Sequence, residues 1–146
     1  RRDAWERRAF EMGVSVAASL AIAGSGEART VSMHTSDEWI PTASPVAMLD
    51  ALSEMEVSVR RDFEAVVRRC VMERGAISAL SIVVGEGTSD DEASRLANIA
   101  PIDVAVSVIR VVPGSARRRR RMSRGVIIDC PSLEDLPVLI SRGVSL

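Results

Sequence analysis

Absences narrow the possibilities for this 146-residue chain first. It has no lysine, no glutamine and no tyrosine, one histidine (His34), two cysteines and four aromatic side chains (Trp5, Phe10, Trp39, Phe63). A single histidine cannot by itself make a zinc site or a histidine-based triad. Cys70 and Cys130 stand far apart without metal-ligand spacing, so free thiols in a reducing compartment are expected. A nucleophilic Cys130–His34 pair would need the fold to bring the two together, and Cys130 sits before a proline near the chain end. No Gly-x-Ser-x-Gly elbow and no Walker sequence occurs. The longest apolar helical stretch, residues 14–23, falls short of the ~20 needed to cross a bilayer. It contains Ser15 and Ser19 and follows Glu11, so it is neither an anchor nor a signal peptide. Charge of one sign is also lacking: the formal net charge of −1 argues against a globally basic nucleic-acid binder. The expectation is therefore no enzyme, no cofactor and no metal.

What is present is ample apolar material. At 47% hydrophobic residues the chain has enough for a real core, and its length suits one domain by a prior of roughly 150 residues each. All nineteen basic residues are arginine, which reads as codon usage in a GC-rich genome, most of them solvated. Residues 76–87, Ala-Ile-Ser-Ala-Leu-Ser-Ile-Val-Val-Gly-Glu-Gly, read as a central strand buried on both faces and stopped by glycines. Ser89 with Glu92 then forms a capping box, and Asp90 and Asp91 occupy the first turn of a helix to Asn98.

The same grammar holds along the chain. A helix is expected over 3–23, ended by Gly24 and Gly26, whose glycine pair lacks the strand-then-helix order of a dinucleotide fingerprint. A strand follows over 28–35, then a polar turn region with a short edge strand near Trp39. Ser44 caps a helix with Pro45 in its first turn and an apolar stripe of Val46, Leu49, Leu52 and Met55. A second helix spans 59–74, with Val59, Phe63, Val66, Val67, Cys70 and Val71 inward. Residues 102–112 are the strongest strand, with Ile102, Val104, Val106 and Val108 at period two. A loop of concentrated positive charge (Arg117, Arg118, Arg119, Arg120, Arg121, with Arg124 nearby) leads to a short strand over 126–128. Ser132 and Asp135 form a capping box for a last helix ending at Arg142. This order predicts a three-layer α/β domain with a mostly parallel, helix-flanked sheet, and an opening helix suggests that a first strand is absent.

Three segments carry a more particular likeness: Gly13-Val-Ser-Val-Ala-Ala-Ser-Leu-Ala-Ile, Arg29-Thr-Val-Ser-Met-His-Thr-Ser and Met48-Leu-Asp-Ala-Leu-Ser-Glu-Met-Glu. Together they resemble the von Willebrand factor A-like domain of bacterial membrane-anchored proteins encoded beside MoxR-type AAA+ ATPases. The resemblance covers residues 5–112 and more loosely the tail. It implies a Rossmann-like sheet whose absent first strand lies at the centre, between 29–35 and 76–84. It also implies a MoxR-type ATPase as partner, a place at the cytoplasmic face of a membrane, and a role in assembling or remodelling envelope complexes. The family's Asp-x-Ser-x-Ser metal motif belongs to that first strand. A later aspartate is replaced here by Gly85-Glu86-Gly87, so no metal ligand is assigned.

Two function classes follow. Ligands of open α/β sheets bind outside the carboxyl ends of the strands, here Thr35, Ser36, Asp37, Gly85, Glu86, Gly87 and the Pro113-Gly114 turn. That acidic rim of small residues suits a protein partner. Alternatively, the arginine segment binds phosphate groups of anionic lipid or RNA. The scarcity of aromatics disfavours base recognition, which leaves lipid as the better phosphate source. An incomplete sheet would further allow oligomerisation.

Overall fold

The computed structural model describes residues 2–26, 31–34, 39–54, 63–73 and 77–144. Helix α1 spans Arg2–Gly26 and runs through the expected stop at Gly24. The glycine serves a close approach instead: a Cβ there would lie 2.9 Å from Val31 Cγ2. Strands β1 (Met33–His34) and β2 (Trp39–Ile40) pair antiparallel as a small sheet of their own. Only these two residues of the strand expected over 28–35 are described as strand; residues 28–30 and 35 lie outside the described set. The His34 and Trp39 rings meet edge to face at 4.5 Å, and Trp39 Nε1 donates to Glu73 Oε2 at 2.8 Å.

Helix α2 (Pro45–Ser53) begins as anticipated: Ser44 Oγ accepts from the Ala47 N–H at 3.4 Å, with proline in the first turn. Its buried stripe differs, though. Met48 and Leu52 face the core, whereas Val46 and Leu49 are exposed. Helix α3 is Phe63–Glu73, with Val67 buried and Phe63 39% exposed.

The main sheet contains β3 (Ala79–Gly85), β4 (Ala105–Val111), β5 (Arg118–Arg121) and β6 (Val126–Cys130), in the order β3-β4-β6-β5. β3, β4 and β6 are parallel, and β5 joins antiparallel at the edge. Helix α4 (Asp90–Ile99) makes the crossover from β3 to β4; a short 3₁₀ turn (Leu133–Asp135) precedes helix α5 (Leu136–Val144).

Side-chain alternation along the strands divides the core in two. Ile82, Val84, Val106, Val108 and Ile127 lie under α4 and α3. Ile109, Val111, Val126, Ile128 and Cys130 lie under Val16 of α1 and Leu136 and Leu139 of α5. The three-layer, mostly parallel arrangement follows from this two-sided burial. A third cluster joins Ala18 and Ala21 of α1 to Ile40, Met48 and Leu52, so α1 packs on both sheets.

Several sequence expectations are corrected. The strand buried on both faces is β4, not β3: Val108 and Ile109 are fully enclosed, whereas Ala79 and Ser81 of β3 are exposed at the sheet edge. β4 starts only at Ala105. Residues 101–104 form a turn closed by the Val104 N–H to the Pro101 carbonyl at 3.0 Å, which leaves Ile102 89% exposed. The arginine segment is a strand rather than a loop. Met122 N–H donates to the Gly125 carbonyl at 2.9 Å, and Gly125 takes φ +77°, folding the arginines back along apolar β6. An edge strand tolerates this composition because one side stays solvated. Ser132 Oγ bonds the Asp135 carboxylate at 2.8 Å and caps no backbone N–H, so the last helix opens through a 3₁₀ turn; it also runs past Gly143 to Val144.

Candidate functional site

The carboxyl ends of β3, β4 and β6 share one rim. The chain leaves β3 through Gly85-Glu86-Gly87, all exposed, and a Cβ on either glycine would meet nothing within 4 Å. The turn is held from behind by the Thr88 N–H, which donates to the Gly85 carbonyl at 3.2 Å. Thr88 itself is buried, and its carbonyl accepts from Arg110 Nη1 at 2.9 Å.

Arg110 is the centre of the rim. It lies in register with Asp129 on the neighbouring parallel strand. The pair is bidentate, Nε to Oδ1 at 2.7 Å and Nη2 to Oδ2 at 3.1 Å. Both side chains are about 15% exposed, and Arg110 reaches on to Asp90 Oδ1 at 3.1 Å. Hydrogen bonding to Asp129 raises the Arg110 pKa further above its ordinary value, against the opposing effect of burial. Asp90 also accepts from Arg120, and that hydrogen bond is the main reason its carboxyl is held below the ordinary range. Asp90 stands at the first turn of α4, where the helix dipole favours a negative charge. Ser89 Oγ caps the same turn, accepting from the Glu92 N–H at 3.1 Å.

The six arginines proposed for anion binding do not form one patch. In register with β6, Arg118 and Arg120 share the face of Asp129 and Ile127, while Arg119 and Arg121 share that of Ile128 and Val126. Arg120 pairs with Asp90, and Arg117 with Asp135 at 3.4 Å. Arg124 folds inward, donating to the carbonyls of Ala100, Pro101 and Val104 at 3.0, 2.7 and 3.3 Å, and so ties the β5–β6 turn to the α4–β4 connection. Arg119 Nε and Nη2 and Arg120 Nε are enclosed without hydrogen-bond partners.

Thr35, Ser36 and Asp37 lie outside the described residues, so of the expected partner-binding rim only Gly85, Glu86 and Gly87 are placed. Arg110 and Asp129 were not singled out from sequence, although a signal existed. Each is the one charged residue in its strand, and the two charges are opposite. A shallow groove of about 470 Å³ lies beside the rim, lined by Arg8, Glu11 and Ser15 of α1 together with Pro113, Ser132 and Glu134. Cys130 is buried; its Sγ donates to the Ser132 carbonyl at 3.1 Å, and desolvation pushes the thiol pKa up. His34 belongs to the other sheet. Among the described residues no three His, Cys, Asp or Glu side chains gather as a metal cluster, and no helix is long and apolar enough to cross a membrane. Comparison with protein families, curated proteins and solved structures finds no match to this chain.

Proposed function

We propose that the chain is a non-catalytic protein-interaction module that engages its partner at the carboxyl rim of the parallel sheet. The observation that carries this reading is the exposed Gly85-Glu86-Gly87 turn, set on a floor whose charged groups are already committed to one another through Arg110, Asp90 and Asp129. A backbone bared by two glycines beside a fixed polar floor offers a partner both hydrogen-bonding groups and a preorganised shape. The partner class comes from the family resemblance: a MoxR-type AAA+ ATPase, met at the cytoplasmic face of a membrane during assembly or remodelling of envelope complexes.

The test is binding of the purified chain to a purified MoxR-type AAA+ ATPase, by biolayer interferometry at moderate salt. Replacing Glu86 with arginine should slow association and weaken binding by about tenfold, with circular dichroism checking that the variant is folded. Equal affinity of the wild type and E86R would remove the rim from the interface.

One observation favours a second reading, anion binding by β5. Arg118 and Arg121 are exposed and make no ion pair among the described residues. Co-sedimentation with phosphatidylglycerol vesicles tests it. Binding should be strong at low salt, fade at moderate salt, and be lost in R118S/R121S. Vesicle binding unchanged in that variant would eliminate this reading.

A further inference from the structure

The amino-terminal end of the main sheet, opposite the rim, gathers a different set of side chains. The α4–β4 turn and the β5–β6 turn both lie there, because β4 and β6 run parallel and start at the same end. Arg124 joins them, reaching from the second turn to the carbonyls of Ala100, Pro101 and Val104 on the first. Helix α3 arrives at the same end. Val71, in its last turns, packs into one cluster with Ile77, Ile99 and Ala100, which precede β3 and β4.

This end carries the two most exposed large apolar side chains among the described residues, Ile102 at 89% and Met72 at 80%. Single exposed apolar residues are ordinary, but the setting of Ile102 is not. Turns are built mostly from glycine, proline, asparagine, aspartate and serine, and a β-branched aliphatic at a turn tip gains nothing from the fold. The turn is also fixed. The Val104 N–H closes it on the Pro101 carbonyl, and the three bonds from Arg124 brace it. Ile102 is therefore held out in water and does not fold back.

Positive charge adjoins it. Arg121 is exposed at the last position of β5, opposite Val126 at the start of β6. Arg124 adds a guanidinium that, among the described residues, bonds only neutral carbonyls. Arg118 lies three residues back along the strand, about 10 Å away, close to the Debye length at physiological salt. Asp103, exposed in the turn itself, opposes these cations with one charge. Glu73, beside Met72, is already engaged by Arg69 and by the Trp39 N–H. Protruding apolar residues backed by cations match a bilayer interface, where apolar side chains enter the acyl boundary and arginines meet headgroup phosphates.

We propose that the amino-terminal end of the sheet docks on an anionic lipid surface, with Ile102 and Met72 inserted between headgroups and Arg121 and Arg124 against their phosphates. This rests on the anion-binding reading of β5 and adds an orientation to it. The strands then stand end-on to the bilayer, and the carboxyl rim with Gly85-Glu86-Gly87 faces away from it, open to a protein partner.

Vesicles of phosphatidylglycerol and phosphatidylcholine in equal parts test it on the 146-residue chain at low salt. Ile102→Ser and Met72→Ser alter side chains that the fold leaves in solvent, so both variants should keep the wild-type thermal melt. Each should weaken co-sedimentation by about fivefold or more. An environment-sensitive nitrobenzoxadiazole label on Ile102→Cys reads insertion directly. Cys70→Ser in the same chain leaves buried Cys130 as the only other thiol. The label should shift to the blue on the vesicles and be quenched by lipid carrying a shallow nitroxide, whereas the same label on Gly87→Cys at the rim should do neither. Wild-type affinity in both serine variants overturns the proposal and leaves adsorption by the charges of β5 alone. So does a label at position 102 that stays in water while the chain is bound, or insertion read at position 87 instead. A wild-type chain that does not bind these vesicles removes the anion-binding reading together with the proposal.

Discussion

Replacing Arg110 with methionine should be among the most damaging single changes in the sheet. The substitution leaves Asp129, 15% exposed, without its bidentate cation, and leaves the carbonyl of buried Thr88 without its donor. Breaking a buried ion pair by removing one partner costs roughly 3–5 kcal/mol. Residual water access to both side chains places the expected loss at the lower end, about 3 kcal/mol. For a chain of this size that corresponds to a melting temperature lower by about 6–12 °C. The double variant R110M/D129L removes the orphaned carboxylate and should recover at least about half of the loss, because well-packed apolar replacements of buried pairs are close to neutral. Arg120→Ser provides the contrast. Its partner Asp90 is half exposed, so the loss should stay below about 1 kcal/mol. Urea unfolding followed by far-UV circular dichroism measures all three. A loss below about 1 kcal/mol for R110M, or a double variant no more stable than R110M, would refute the assignment of Arg110 and Asp129 as a coupled buried pair.

Other expectations concern glycine, acid and thiol chemistry. Gly125→Ala places a Cβ 2.1 Å from the Val106 carbonyl oxygen at a φ of +77°, so it should destabilise by about 3 kcal/mol or more in the same urea assay. Gly87→Ala meets nothing within 4 Å and should stay within about 0.5 kcal/mol of wild type. Asp90 has a folded pKa below its ordinary 3.8, so its contribution is complete above that pH and lost as pH falls through the folded pKa. Asp90→Asn should therefore be slightly less stable than wild type at pH 7, by less than about 1 kcal/mol, with the difference closing in acid-unfolding curves below pH 3.8. Cys130 is buried and Cys70 only half so; a thiol-specific reagent should modify Cys70 first and reach Cys130 only when the protein unfolds.

Local chemistry made much of the fold readable. The Ser44-Pro45 and Ser89–Glu92 starts, the α4 boundaries and the apolar strands after residue 76 follow from rules acting over a few residues, and the structure agrees with them at α2, α4, β3 and β6. Local patterns misled where two states share one signature. Ile102 continues the period-two pattern of β4, yet Pro101 and a closed turn remove it from the ladder. Five arginines in a row look like a solvated loop, and no local propensity reveals that Gly125 turns them onto β6.

The candidate site divides along the same line. The glycine turn after β3 was legible, because a strand ending in Gly-Glu-Gly marks itself. That Arg110 meets Asp129 was not, because the contact depends on β4 and β6 lying side by side while β5, which comes between them in sequence, is placed outside. The sequence alone determined the alternation of strands and helices and the starts of α2 and α4, since each depends on the physics of neighbouring residues. Tertiary structure alone decided that β4 is an interior strand, that β3 ends the sheet among the described residues, and which charges are spent on one another, since these depend on the order in which strands pair across the sheet.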